Sequence, residues 1–164
     1  MLLTNEESLT NTGENDMQTI EFKSTKGGKF AINLPANYKK ISLPFFKEWV
    51  TALESGKYRQ GRRLLCQINN KKATYCCLGV LSKIQGRLIK TDFGFEDAIS
   101  GYIGTLKTNN PTYFVLNKNG LFPEGVSVTV DDSIMSCTTL ATCNDNAKLS
   151  LKDIAKIIKT LYKE

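Results

Sequence analysis

The chain has no histidine among its 164 residues. That removes the side chain most often used as a general base near neutral pH and most often found on transition metals. Ser-His and Cys-His dyads are excluded within one chain. An enzyme built here would rely on carboxylates, lysine, tyrosine or a cysteine thiolate. No apolar run approaches the ~18 to 20 residues that span a bilayer. The opening stretch MLLTNEESLT carries no base, so neither a secretory signal nor a membrane partner is expected. Neither G-x-x-x-x-G-K-[ST] nor G-x-G-x-x-G occurs, so ATP hydrolysis and a dinucleotide cofactor are not indicated.

Cysteine is present in an arrangement that excludes two common uses. The five cysteines are Cys66, Cys76, Cys77, Cys137 and Cys143. An odd number with an adjacent pair does not suit a disulfide framework. Without C-x-x-C spacing or histidine, it does not suit structural zinc either. The expectation is five free thiols, buried as small hydrophobes in a reducing compartment, with no metal and no cofactor.

A further absence is local. Between Ser55 and Thr91 there is no Asp or Glu. The same span holds Lys57, Arg59, Arg62, Arg63, Lys71, Lys72, Lys83, Arg87 and Lys90, a local +9 in a chain of net +6. The densest part reads GKYRQGRRLLCQINNKKATYCCLGVL. Arginine presents a planar fork of donors that matches phosphate or carboxylate oxygens. Glycines at 56 and 61 let backbone approach a ligand.

Length suits one domain. Residues 1–16 are acidic and polar and read as a flexible leader. Residues 17–164 read as a single α+β domain in which short antiparallel strands pack with about four helices. Alternation at Ile20, Phe22, Phe30, Ile32 and Leu34 around Gly27-Gly28 predicts a hairpin that Pro35 ends. SLPFFKEWVTALESG predicts a helix with Ser42 as cap, Pro44 in the first turn and Gly56 as its stop. Two strands meeting at Asn69-Asn70 follow, then a helix over CLGVLSKIQG. In the Gly-, Asn- and Thr-rich segment 92–132, TYFVLN and GVSVTV are the clearest strands. Ser133 is positioned to cap a helix over IMSCTTLATCN, and Asn144, Asp145 and Asn146 read as a turn. Ser150 and Asp153 form a capping box for LSLKDIAKIIKTLYKE, whose apolar face is Leu151, Ile154, Ile157, Ile158 and Leu161. Two closing helices also suit a helix-turn-helix DNA reader; the simpler reading is a helical hairpin that closes the core.

The candidate ligand-binding residues are Lys57, Tyr58, Arg59, Gln60, Arg62, Arg63, Tyr75 and Cys76. The arginines would grip phosphates, the tyrosines would stack a base, and a helix starting near Cys76 would aim free N–H groups at an anion. A helix N-terminus beside arginines also lowers thiol pKa. Without histidine, inward packing of Cys77 and packing of Cys76 against a strand is the preferred reading. Asp131, Asp132 and Asp145 are the carboxylates an enzyme reading would use, although aspartates before a helix more often cap it.

Three blocks carry a resemblance. EWVTALESGKYRQGRRLL, YCCLGVL and LATCNDNAKLSLKDIAKII, spread over roughly residues 48–158, resemble a widespread family of small uncharacterised tailed-phage proteins. That family shows W-x-x-A-L-x-S-G-x-Y-x-Q-G, C-C-L-G-V-L and L-A-x-L-N-D…S-F-x-x-I-A-x-x-I. Cys143 stands where the family has leucine, and Leu151 where it has phenylalanine. The resemblance implies phage origin and an accessory role in the host cytoplasm. The expected function is non-enzymatic binding in counter-defence, capturing a nucleotide-type anionic ligand or blocking a host defence protein. The alternative is action on host or phage DNA. Weak non-specific nucleic-acid binding is expected, and homo-oligomerisation is compatible with the sequence.

Overall fold

The computed structural model describes residues 8–12, 17–92, 94–97, 102–103, 116–117, 120–131 and 136–164. In chain order, β1 (Ser8–Thr12), β2 (Met17–Lys23), β3 (Lys29–Pro35) and β4 (Ile41–Ser42) precede α1 (Phe46–Glu54). The hairpin β5 (Cys66–Asn69) and β6 (Lys72–Tyr75) leads into α2 (Cys77–Ile84). Four short strands follow: β7 (Leu88–Thr91), β8 (Gly94–Asp97), β9 (Tyr102–Ile103) and β10 (Leu116–Asn117). The chain closes with β11 (Ser127–Val130), β12 (Ser136–Cys137), α3 (Leu140–Asp145), α4 (Leu151–Leu161) and β13 (Tyr162–Lys163). The fold is α+β.

The largest sheet has the order β1-β2-β3-β11-β12, antiparallel at each pairing. Alternation in β2 and β3 puts Phe22, Phe30, Ile32 and Leu34 into the core, as expected, with Phe22 and Phe30 stacked across the pair at 5.2 Å. Strand β1 lies inside the segment read as a leader and pairs along β2. The Ser24–Gly28 turn then reaches α4. Ser24 Oγ donates to Asp153 Oδ2 (2.9 Å) and the Thr25 N–H to Asp153 Oδ1 (3.0 Å). The capping box at Ser150 and Asp153 is formed, and every residue of the expected apolar face of α4 is buried.

Two helix starts differ from the sequence reading. Ser42 does not cap α1. Ile41 and Ser42 are extended and pair in parallel with Tyr162 and Lys163, which delays the helix to Phe46, with Phe45 at the N-cap and Pro44 before it. α3 is six residues long and begins at Leu140, capped by Thr139 Oγ1, which accepts from Thr142 N–H at 3.1 Å. Ser136 and Cys137, expected in that helix, are a strand beside β11. Pairing to the sheet with Cys137 buried, followed by two β-branched threonines, favours the extended form there. Ser133 lies outside the described residues, as do 112–115 of the expected TYFVLN strand; Leu116–Asn117 is its described part. The β5–β6 turn falls on Asn70 and Lys71, both at positive φ, which matches the twist of a two-residue hairpin. Lys159 pairs with Glu54 and Lys156 donates to the Lys23 carbonyl, so the basic side of α4 is partly tied down within the fold.

Candidate functional site

Segment 57–63 leaves α1 after Gly56, at φ +74, and runs beside β6. The Tyr75 N–H donates to the Arg59 carbonyl (2.8 Å) and the Gly61 N–H to the Tyr75 carbonyl (2.7 Å), a bridge centred on Gln60 and Tyr75. This brings the sequence-predicted residues into one region, but their side chains part there. Lys57, Arg59 and Arg63 are exposed. Gln60 turns inward, donating from Nε2 to Asn144 Oδ1 (2.9 Å) and to the Leu149 carbonyl (2.8 Å). The Arg62 guanidinium donates to the Asn144 carbonyl, which lies in the last turn of α3, where cations are favoured. Tyr58 and Tyr75 meet edge to face at 5.5 Å, so each ring partly covers the other.

The start of α2 is not an open anion site. Cys76 is its N-cap, and the Cys76 sulfur accepts from the Gly79 N–H (3.4 Å). The Cys77 N–H donates to Asn144 Oδ1 (3.2 Å). Residues 76–79 are all buried. The expectation of a ligand held by Cys76 and this helix end is therefore corrected: the end is buried, and the Cys77 and Gly79 N–H groups already have protein partners. Burial pushes the Cys76 thiol up to about 11 and the Cys77 thiol well above its ordinary range. Neither is a thiolate at neutral pH, and all five cysteines are free and buried.

Sequence reading missed the residue that organises this region. Asn144, taken as part of a turn, is fully buried. Its Oδ1 accepts from Gln60 and from the Cys77 N–H; its Nδ2 donates to the Gly61 carbonyl (3.0 Å) and to Asp145 Oδ1 (2.7 Å). Asp145 Oδ1 also accepts from the Arg63 N–H (2.8 Å), which fixes Arg63 at φ 68. The Trp49 indole N–H donates to the Cys77 carbonyl (3.0 Å), which ties α1 to the same place. Gly79 completes it: a Cβ there would lie 1.7 Å from the Leu65 carbonyl oxygen, so only glycine lets segment 62–65 cross α2. The one available signal was the company Asn144 keeps. It sits in one of three motif blocks, and the hydrogen bonds show that these blocks meet.

Among the other named residues, the Asp131 carboxylate accepts from the Lys29 N–H (2.8 Å), and Asp132 lies outside the described residues. Arg87 is buried and pairs with Asp97 at 3.2 Å. Beside the exposed part of segment 57–63, an open depression of about 430 Å³ lies along α1, lined by Lys47, Glu48, Thr51, Ser55, Lys57 and Tyr58 among others. Among the described residues, no three His, Cys, Asp or Glu side chains converge as a metal site, and no helix is long and apolar enough to cross a membrane.

A family model described as a domain of unknown function, DUF8296, matches residues 45–162. The chain belongs to the DUF8296 family. The match opens at the N-cap of α1 and ends at the first residue of β13, so Trp49, Gln60, Gly61, Cys77, Gly79 and Asn144 all lie inside it. The hairpin β2–β3 lies outside the DUF8296 match, yet β3 pairs along β11 within it. No curated protein and no solved structure matches the chain.

Proposed function

We propose that this DUF8296 protein is a phage accessory protein that acts by binding, without catalysis of its own. It takes an anionic partner on segment 57–63 and the neighbouring β5–β6 hairpin. The observation that carries this reading is how the fold divides the bases. Arg62 and Arg87 are tied internally, whereas Lys57, Arg59, Arg63, Lys71 and Lys72 are exposed on segments joined at the Gln60–Tyr75 bridge. No acid is interspersed in the sequence from 56 to 90 to neutralise them.

The ligand class is nucleotide-type. The depression beside Lys57 has two ammonium groups for phosphate, the Thr51 hydroxyl and Glu48 carboxylate for a sugar, and part of the Tyr58 ring for a base. Its volume falls in the roughly 300 to 1,000 Å³ range of small-molecule sites. Capture of such a signal in the host cytoplasm is a counter-defence role, in line with the resemblance to tailed-phage proteins. The test is calorimetric titration with nucleoside mono-, di- and triphosphates at physiological salt. At least one should bind, and Lys57→Ala with Arg59→Ala should weaken it by about tenfold or more, since each charge-assisted hydrogen bond is worth ~1.5 to 3 kcal/mol. Absence of nucleotide binding overturns the ligand class; binding untouched by the double variant overturns the site.

A further inference from the structure

Two of the five cysteines are brought together by the fold. Cys137 lies in β12 and Cys143 in α3, and both side chains belong to the buried core. Thr139 between them is extended, and the Cys143 N–H donates back to its carbonyl (3.2 Å). This strand-to-helix turn packs α3 on β12, and the two thiols hydrogen-bond to each other. The pair is asymmetric. Cys143 is fully buried, whereas Cys137 keeps 6% of its surface and sits on the last strand in the order of the large sheet. The hydrogen bond from Cys143 draws the Cys137 thiol below its ordinary value against the opposing effect of burial. The same bond, with burial, holds the Cys143 proton on. The other three thiols are engaged elsewhere. The Cys76 sulfur caps α2, Cys77 Sγ donates to the Leu140 carbonyl (3.8 Å), and Cys66 hydrogen-bonds with the Tyr75 side chain.

We infer that Cys137 and Cys143 form a redox-active dithiol that hydrogen peroxide closes to a disulfide. Cys137 is the attacking member, because it is the one a small oxidant reaches and the one that gives up its proton more readily. Its thiolate attacks one peroxide oxygen and the O–O bond breaks. The other oxygen leaves as hydroxide and takes up the proton that Cys137 had lost, so one water forms and Cys137 becomes a sulfenic acid. The Cys143 sulfur, already against Cys137, then attacks the Cys137 sulfur. The S–S bond forms, the S–O bond breaks, and the departing hydroxide takes the Cys143 proton as a second water. The two thiols are oxidised by two electrons and the peroxide is reduced to two waters. The disulfide would staple α3 to the edge of the large sheet. Nothing in this step draws on segment 57–63, so it stands or falls separately from the nucleotide-type depression.

The test treats the reduced full chain with hydrogen peroxide, alkylates it in urea and maps the tryptic peptides by mass spectrometry. No Lys or Arg lies between Lys118 and Lys148, so both cysteines fall in one peptide. That peptide should lose two hydrogens, escape alkylation and recover both thiols with dithiothreitol. A second cut after Leu140 should leave its halves joined until reductant is added. Cys66, Cys76 and Cys77 should be alkylated in full. In Cys143→Ser, Cys137 should stop at the sulfenic acid and be trapped by dimedone; in Cys137→Ser, Cys143 should stay a thiol. Circular dichroism confirms folding, and if either variant unfolds the map of the unsubstituted chain decides by itself. Alkylation of both Cys137 and Cys143 after peroxide overturns the inference. So does a disulfide from either one to Cys77, or oxidation of Cys137 beyond the sulfenic acid with no link formed.

Discussion

Replacing Asn144 with alanine removes four hydrogen bonds at a fully buried position. Not all four partners are stranded. Gln60 Nε2 retains the Leu149 carbonyl, and Asp145 Oδ1 retains the Arg63 N–H. The loss falls on the Cys77 N–H, buried at the start of α2, and on the half-buried Gly61 carbonyl. A buried group left unsatisfied costs ~1 to 3 kcal/mol, so Asn144→Ala should destabilise by about 2 to 5 kcal/mol. That is a large part of the roughly 5 to 15 kcal/mol that holds a domain together. Urea unfolding followed by fluorescence reports on the same place, because Trp49 is the one tryptophan and donates to Cys77. A loss of about 3 kcal/mol moves the midpoint down by about 1 to 3 M at ordinary m-values. Asn144→Asp sharpens the test. It keeps Oδ1 as acceptor but turns a carboxylate oxygen toward the Gly61 carbonyl and the Asp145 carboxylate. Repulsion and burial both raise the folded-state pKa of the new acid above its unfolded ~3.9. The penalty should therefore be small near pH 4 and grow as pH rises through that folded value. A cycle of Gln60→Ala and Asn144→Ala should show coupling of ~0.5 kcal/mol or more. Destabilisation below about 1 kcal/mol in Asn144→Ala would refute the claim that this side chain holds the three segments together.

Gly79→Ala should destabilise by about 3 kcal/mol or more in thermal melts, the reverse of the ~1 kcal/mol that alanine usually adds to a helix, because its Cβ meets the Leu65 backbone. Arg59→Ala should leave the melting temperature unchanged, whereas Arg62→Ala should cost about 1 to 2 kcal/mol through its bond to the Asn144 carbonyl; equal effects would contradict the division of the bases. Iodoacetamide at neutral pH should leave Cys76 and Cys77 unlabelled in the folded protein and label all five cysteines in urea, because burial holds those two as thiols. On random duplex DNA, affinity should be weak and largely vanish at physiological salt. A log–log slope of roughly −5 with submicromolar binding at that salt would instead promote the nucleic-acid reading.

Much of the fold was legible because it rests on local patterns. The alternation at Phe22, Phe30, Ile32 and Leu34 needs only the two-residue period of a strand. The α4 face and its Ser150–Asp153 box need only the helical period and one cap. The errors at Ser42 and at residues 136–137 share one cause. Both segments had good local helix signals, and both are held extended by pairing to another strand: Ser42 to Lys163 near the other end of the chain, and Ser136 to Thr129 shortly before it. A cap or a helical period does not report which strand a segment will pair with, and for Ser42 that strand lies near the other end of the chain.

The candidate site divides along the same line. Composition and order alone determined the acid-free basic stretch, the lack of histidine and the odd cysteine count, because each is a property of the chain whatever its shape. Only tertiary structure decided which bases are exposed and which are tied within the fold. Arg59 differs from Arg62 by nothing visible in the residue itself. They differ because α3 lies on one side of segment 57–63, where Asn144 draws Gln60 and Arg62 inward. The same side chain takes the Cys77 N–H, so that donor of the helix end is not free for an anion. Hydrogen bonds between groups more than sixty residues apart are set by packing, and packing is what a linear reading lacks.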